Sequence, residues 1–158
     1  GRRPEHAPAG RRRRVMGQDA GVRTPGQIAD LVDTVLALPL HRSLGIGLTV
    51  PGDPTLGLTL EVGEGTRNPG GVLHGGLVPL LVDVTCFLRL LPELPADRHA
   101  VTVSSTASLL AAVPAGGVVT TTARVDRLGR TQAFLSGELR CGDRLVATGQ
   151  VVKAVVPA

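Results

Sequence analysis

The first periodic segment of the chain is helical. Between residues 28 and 38, apolar side chains recur at three- and four-residue spacing, so that one face of a helix would be apolar. Thr24 and Pro25 stand in front of this segment as an N-cap and a first-turn proline. We therefore expect a helix that begins at Pro25 and ends before Pro39, whose ring cannot continue it.

Most of the remaining chain has the pattern of short strands. Residues 44–50 and 55–62 form two apolar runs, and the Pro-Gly-Asp-Pro sequence between them predicts a hairpin turn. Four further segments are rich in Val and Thr and are divided by glycine-containing turns: 99–110, 117–126, 131–140 and 144–156. This order of elements predicts the α+β class with an antiparallel sheet.

One long apolar segment, residues 77–91, lies between the two groups of strands. Fifteen residues are too many for an ordinary strand, and Pro79 is tolerated only in the first turn of a helix. We therefore expect a helix that begins at about Gly75 to Leu77 and ends before Pro92. Its surface is apolar nearly all round, which indicates a buried helix with a sheet wrapped around it.

The charge of the chain changes the picture little, because it is unevenly distributed. The formal net charge is +4, but residues 1–15 carry six Arg against one Glu, so the rest of the chain carries −1. The run Arg11 to Arg14 lies among Pro, Gly and Ala without apolar periodicity. We interpret residues 1–23 as a basic, disordered tail and residues 24–158 as a single domain, and we do not expect nucleic acid as a partner.

Cysteine content and hydropathy bear on the compartment. Cys86 lies in the apolar helix and Cys141 beside a turn, which favours reduced thiols in a cytoplasmic protein over a disulfide framework. The longest apolar run contains Asp83 and Arg89 and is shorter than the roughly 20 residues of a membrane span. We therefore expect no membrane segment.

The candidate chemistry lies in the long helix and just before it. Asp83 is a carboxylate in an apolar helix, and burying it without partners would cost several kcal/mol, so it needs partners or a function. Gly75 and Gly76 precede the helix and would leave its amide hydrogens open to another molecule. A carbonyl against either amide would be polarised as in an oxyanion hole.

A single chain cannot easily bring these groups to one substrate. From Gly76 to Asp83 the helix rises roughly 10 Å, whereas both groups must reach about 3 Å from the reacting carbonyl. If both take part, Asp83 comes from a second copy of the chain, and a two-fold dimer would hold two such sites.

Residues 68–76, with the sequence NPGGVLHGG, followed by Asp83 in an apolar helix, resemble the hotdog-fold acyl-CoA thioesterases of the PaaI-like, phenylacetate-pathway type. The resemblance covers about residues 40–156, including the order of elements. It implies a hotdog fold and homodimers or homotetramers with active sites at the subunit interface. It also implies hydrolysis of an acyl thioester to free acid and CoA, with no metal or other cofactor, because CoA is part of the substrate.

The same resemblance implies roles for four residues in and before the helix. Asp83 would activate water or attack the thioester carbon, and the Gly75 amide would polarise the carbonyl. Asn68 would orient the substrate or the water, and His74 would fix the loop at the thioester end. A structural alternative remains open for each: an N–H acceptor for Asp83, helix entry for Gly75, a turn for Asn68 and loop packing for His74.

Five further residues are weaker candidates. A hydroxyl on the strand after the helix assists the water in several members of the family, and Thr102 stands at that position, with Ser104 as second choice and Gly76 as a further substrate contact. Arg127 and Arg130 flank a hairpin turn, where they could meet the phosphates of CoA or remain solvated.

Two other functions fit the sequence less well. Hotdog hydratases and dehydratases would carry a differently placed His and acid, and no His follows Asp83 before His99. A non-catalytic protein that binds an acyl thioester, or nucleic acid through the arginine tail, is the third alternative. The pocket should be lined by Leu, Val and Ala, which leaves the acyl group and the choice between CoA and acyl carrier protein open.

Overall fold

The computed structural model describes residues 20–158. Helix α1 spans Pro25–Leu36, and Thr24 caps it as predicted. The Thr24 hydroxyl accepts a hydrogen bond from the Gln27 N–H, and the Gln27 side chain accepts one from the Thr24 N–H. A short helix that the pattern did not predict, α2, follows at Pro39–Leu44. Pro39 is the first residue of α2, so the proline that cannot continue α1 also begins the next helix.

The N-terminal boundary of the folded part lies earlier than predicted. Residues 1–19 of the predicted tail lie outside the described residues. Val22 forms an isolated bridge with Pro95, and the Arg23 guanidinium donates hydrogen bonds to the carbonyl oxygens of Leu94 and Pro95 at 3.3 and 3.2 Å. The last residues of the segment that we interpreted as a tail therefore pack on the domain, held by backbone acceptors that the sequence pattern does not show.

Six antiparallel strands form one sheet. They are β1 (Gly47–Val50), β2 (Asp53–Glu61), β3 (Arg98–Leu109), β4 (Val118–Leu128), β5 (Gln132–Cys141) and β6 (Arg144–Pro157), in the spatial order β1-β2-β4-β5-β6-β3. The predicted hairpin of β1 and β2 is confirmed by the pairing of Gly47 with Thr59. Among the strands of residues 20–158, β3 pairs only with β6, so it is an edge of this sheet.

The long helix, α3, spans Leu77–Leu90 and lies against one face of this sheet, as predicted. Its buried residues are Val78, Leu81, Val82, Val84, Thr85, Cys86, Leu88 and Leu90. Gly149 on β6 allows the close approach: a Cβ there would lie 2.8 Å from the Thr106 carbonyl oxygen and 2.9 Å from Val82 Cγ1. The sheet and this helix form the core.

A network of hydrogen-bonded polar groups crosses the interface between helix α3 and the sheet. The Leu58 N–H donates to the Thr121 hydroxyl at 2.8 Å, and the hydroxyls of Thr121 and Thr85 lie 2.6 Å apart. The Thr85 hydroxyl donates to the Leu81 carbonyl at 2.7 Å, so Thr121 must be the donor to Thr85. Each polar atom of this network therefore has a hydrogen-bond partner.

No helix among residues 20–158 combines the length and the hydropathy required to cross a bilayer.

Candidate active site

The entry to helix α3 leaves one amide hydrogen free. His74 turns its ring back so that Nδ1 accepts a hydrogen bond from the Gly76 N–H at 3.0 Å. The next two amides, of Leu77 and Val78, donate to the carbonyls of His74 and Gly75. Within the described part of the chain, the Gly75 N–H donates to no acceptor. Of the two glycines, it is thus Gly75 that could donate to a substrate carbonyl without losing a bond.

Asn68 shapes the loop in front of this helix. Its Oδ1 accepts hydrogen bonds from the N–H groups of Gly70 and Val72 at 2.9 and 3.3 Å. Its own N–H donates to the Val72 carbonyl at 2.8 Å. The turn role is therefore filled by the backbone and Oδ1, while the side-chain Nδ2 makes no hydrogen bond to any residue between 20 and 158 and could still contact a substrate.

A mostly apolar cavity of about 360 Å³ lies beside Gly75. Its lining comes from the Asn68 loop, the start of α3, the segment after β3 and β6: Asn68, Val72, Leu73, Gly75, Val78, Leu109, Leu110, Ala111, Ala112, Val113, Val146 and Ala147. Most of these lining residues are Leu, Val and Ala, the residue types that the sequence predicted for the acyl pocket. An acyl chain would fit the chemistry of this lining, and Gly75 is part of the cavity wall.

The second group of polar residues lies further along α3, where the helix faces β3 and β6. Asp83 Oδ1 accepts hydrogen bonds from the Thr102 hydroxyl at 2.8 Å and from Lys153 Nζ at 2.9 Å. Lys153 Nζ also lies 2.8 Å from the Thr102 oxygen. Asp83 Oδ2 accepts no hydrogen bond from the described residues, and 27% of the Asp83 side chain is exposed. The carboxylate is thus held through one oxygen and open at the other.

Sequence reasoning missed Lys153, although a signal for it exists. In β6 the buried positions Val151 and Val155 alternate with less buried ones, and Lys153 shares their parity. A lysine at an inward position of a strand needs a partner for its ammonium group. The alternation of buried and less buried positions along β6 could therefore have predicted that Lys153 faces the core. Asp83 supplies the negative charge that its ammonium group needs there.

Aromatic and thiol groups surround this cluster. Lys153 Nζ lies 5.5 Å from the centroid of the Phe87 ring, whose edge meets the His99 ring at a centroid distance of 5.7 Å. Burial raises the pKa of the Cys86 thiol to about 12, although the nearby Lys153 ammonium acts in the opposite direction. Cys86 is fully buried and its thiolate is disfavoured, so it is a core residue rather than a nucleophile.

Within one chain the predicted residues form two separate groups. Asn68, His74, Gly75 and Gly76 meet at the start of α3. Asp83 lies two helical turns away with Thr102, and neither lines the cavity beside Gly75. The separation is the one that the seven-residue spacing predicted.

Ser104 lies on the other face of the sheet from Asp83. A bulge at Val103 shifts the register, so that Thr102 pairs with Lys153 but Ser104 pairs with Val152. Val152 alternates with the inward Val151 and Lys153, so its partner Ser104 points away from α3. Thr102, and not Ser104, is the hydroxyl that meets the carboxylate.

Arg127 and Arg130 flank the turn between β4 and β5 and are exposed. Neither forms an ion pair in the described part of the chain. Their turn lies at the same end of the sheet as the carboxylate, because one cross-strand row runs from Leu128 through Ala133 and Lys153 to Thr102. Residues 20–158 contain no group of three His, Cys, Asp or Glu side chains that could hold a metal ion.

Sequence comparison identifies the family. A sequence model of the Thioesterase superfamily matches residues 70–148, which include Gly75, Asp83 and Thr102. The Pseudomonas aeruginosa protein PA0474, whose name assigns it provisionally as an esterase, is 33% identical over 95 residues, which are 60% of this chain and 71% of that protein. The chain belongs to the Thioesterase superfamily. It is a thioester hydrolase, as predicted.

Solved structures, one of them named as a thioesterase, share the fold. The Haemophilus influenzae thioesterase HI1161 matches with a TM-score of 0.74 at 23% identity, over 87% of this chain and 94% of that one. The conserved protein PA5202 of Pseudomonas aeruginosa matches with a TM-score of 0.68 at 34% identity, over 77% and 96%. The Bacillus halodurans protein BH2602, solved with CoA, matches with a TM-score of 0.67 at 19% identity, over 83% and 87%. The predicted hotdog fold is confirmed, and the assignment to the PaaI-like group stays a prediction.

Proposed function

We propose that this thioesterase hydrolyses acyl-CoA, with Asp83 as the reactive carboxylate and the Gly75 N–H as the donor to the thioester carbonyl. The observation that carries the proposal is a pair of groups without hydrogen-bond partners among residues 20–158. One is the N–H of Gly75, a residue that lines an apolar cavity, and the other is Oδ2 of a carboxylate that is held through Oδ1. A helix N-terminus favours the negative charge that develops on the carbonyl oxygen. Asp83 Oδ2 either takes a proton from the attacking water or attacks the carbonyl carbon itself.

The two groups would meet in a dimer, with Gly75 from one chain and Asp83 from the other. Strand β3 supports this arrangement, because it is an open edge that carries the exposed side chains Val101 and Val103. Leu80 and Phe87 extend a half-buried, largely apolar stripe of α3 on both sides of Asp83. A second copy that covers this edge would bring its own Gly75 to the carboxylate. A homotetramer of two such dimers remains an alternative.

CoA as the carrier is the more specific part of the proposal. Arg127 and Arg130 offer two exposed guanidinium groups at the same end of the sheet as Asp83, with no ion pair to the described residues, which suits the phosphates of CoA. The CoA in the Bacillus halodurans relative supports the same carrier. Acyl carrier protein is the alternative carrier. Neither a metal nor another cofactor is needed, because the proposed steps use only the carboxylate, the amide and water.

The test is release of CoA from a panel of aliphatic and small aromatic acyl-CoAs, measured with a thiol reagent. We expect hydrolysis of at least one chain class, and we expect Asp83→Asn to lower kcat by about 100-fold or more, because the carboxylate is the reacting group. Thr122→Val, on the outer face of β4, is the matched control and should keep the parent kcat. A parent protein that binds acyl-CoA but releases no CoA would instead indicate a non-catalytic binding protein.

A further inference from the structure

Lys153 occupies a place that packing alone does not explain. Only 2% of its side chain is exposed, and it lies on β6 between β5 and β3, directly under helix α3. A buried ammonium group costs free energy, and an apolar side chain of similar volume at such a position is often neutral or stabilising. A methionine would therefore fill the same space, so packing does not explain why this position carries a charged residue.

The hydrogen bonds around Lys153 have one possible direction. An ammonium group only donates, so Thr102 Oγ1 must accept the bond from Lys153 Nζ. The Thr102 hydroxyl then donates its hydrogen to Asp83 Oδ1, and Lys153 donates a second bond to the same oxygen. Both donors meet on Oδ1, and Oδ2 is left without a partner among residues 20–158.

We propose that Lys153 is a positioning residue that holds Asp83 by Oδ1 and thereby directs Oδ2 toward the thioester. The inference rests on the proposed function and adds a residue to it. Lys153 also fixes the direction of the Thr102 hydroxyl, so Thr102 serves the carboxylate rather than the attacking water. The centroid of the Phe87 ring lies 5.5 Å from Nζ, within the range of a cation–π contact.

The site of Lys153 suits this role mechanically. Its backbone is held on both sides, by pairing with Ala133 on β5 and with Thr102 on β3, next to the bulge at Val103. The carboxylate, by contrast, lies on the helix that packs across the sheet. A bond from the sheet to the helix therefore fixes one rotamer of Asp83, as an efficient reacting group requires.

The test compares Lys153→Met and Lys153→Gln with the parent on the best acyl-CoA. We expect kcat to fall about 10- to 100-fold, because the carboxylate loses its fixed orientation, while KM changes less than about threefold. The KM expectation follows because Lys153 does not line the cavity beside Gly75. In an Asp83→Asn background, Lys153→Met should cause no further loss of kcat, since its effect passes through the carboxylate. A merely structural role would lower both backgrounds alike.

The outcomes separate the two proposals. A parent that releases no CoA from any acyl-CoA overturns the proposed function and this inference with it. An active parent whose Lys153→Met variant keeps the parent kcat overturns the inference alone. If Lys153→Met does not fold, Lys153→Gln decides by the same kcat criterion. If neither variant folds, Lys153 is required for the fold itself, and the positioning role is rejected.

Discussion

The Thr102 hydroxyl lies 2.8 Å from Asp83 Oδ1 and bridges the edge strand to the central helix. Thr102→Val keeps the shape of the side chain but removes this donor, so we expect kcat to fall about tenfold with little change in KM. Thr102→Ser keeps the hydroxyl and should retain most of the activity. Steady-state kinetics on one acyl-CoA measure both. Equal activity of the Val and Ser variants would show that the hydroxyl plays no part in holding the carboxylate.

The ring of His74 determines which amide is free at the start of α3. Because Nδ1 accepts from the Gly76 N–H, we expect His74→Ala to loosen the turn that presents Gly75 and to lower kcat about tenfold. An Asn side chain can accept from the N–H two residues on, so His74→Asn should recover most of this loss. A direct chemical role of the imidazole predicts the opposite: His74→Asn would then be as slow as His74→Ala.

The two cysteines should differ sharply toward a thiol reagent. Burial raises the pKa of Cys86 to about 12, whereas Cys141 is half-buried at the end of β5. At pH 8 we expect the native protein to label at Cys141 only, and both thiols to react in denaturant. Mass spectrometry of the labelled protein locates the adducts. Fast labelling of Cys86 in the native state would mean that the helix opens locally.

The same thiol makes stability depend on pH in a known direction. An unfolded cysteine loses its proton near pH 8.5, while folded Cys86 keeps it to about 12, so its contribution is complete below about pH 8.5 and is lost as the pH rises toward 12. Between pH 8 and 10 the parent should therefore lose about 2 kcal/mol more stability than Cys86→Ala. Urea unfolding at the two pH values gives the comparison. Identical pH slopes for the two proteins would contradict it.

The elements of the fold were largely readable from the sequence because each has a local cause. Thr24 and Pro25 predicted the start of α1, and Pro79 and Pro92 bounded α3. Helix α2 was missed because Pro39 was interpreted only as the end of a helix, although a proline also suits a first turn.

The site was readable only in part, because some of its contacts are long-range. Asp83 and the glycine pair stood out by contrast with their apolar surroundings. The His74 ring bonded to Gly76 depends on a rotamer, and the Lys153 contact joins residues seventy positions apart. Neither follows from local pattern, although strand parity indicates that Lys153 points inward.

The Thr121 hydroxyl connects the Leu58 N–H and the Thr85 hydroxyl in the buried hydrogen-bond network between helix and sheet. Thr121→Val leaves the Leu58 N–H without an acceptor, so we expect the free energy of unfolding to fall by about 1–3 kcal/mol. Thr122→Val, at the next position on the exposed face, should change it by less than about 0.5 kcal/mol. Urea unfolding monitored by circular dichroism distinguishes the two. A Thr121 variant as stable as the parent would mean that the amide finds another acceptor.

The composite site can be tested by mixing two inactive chains. Asp83→Asn removes the carboxylate, and Gly75→Val places a branched side chain against the amide, where even a Cβ would lie 3.2 Å from Leu109 Cδ2. If each site takes Gly75 from one chain and Asp83 from its partner, a mixed dimer holds one intact site. Random mixing of equal amounts, by joint refolding or co-expression, should then restore about a quarter of the parent activity. Two chains that each contained a complete site would stay inactive after mixing, because every site would still carry one of the substitutions.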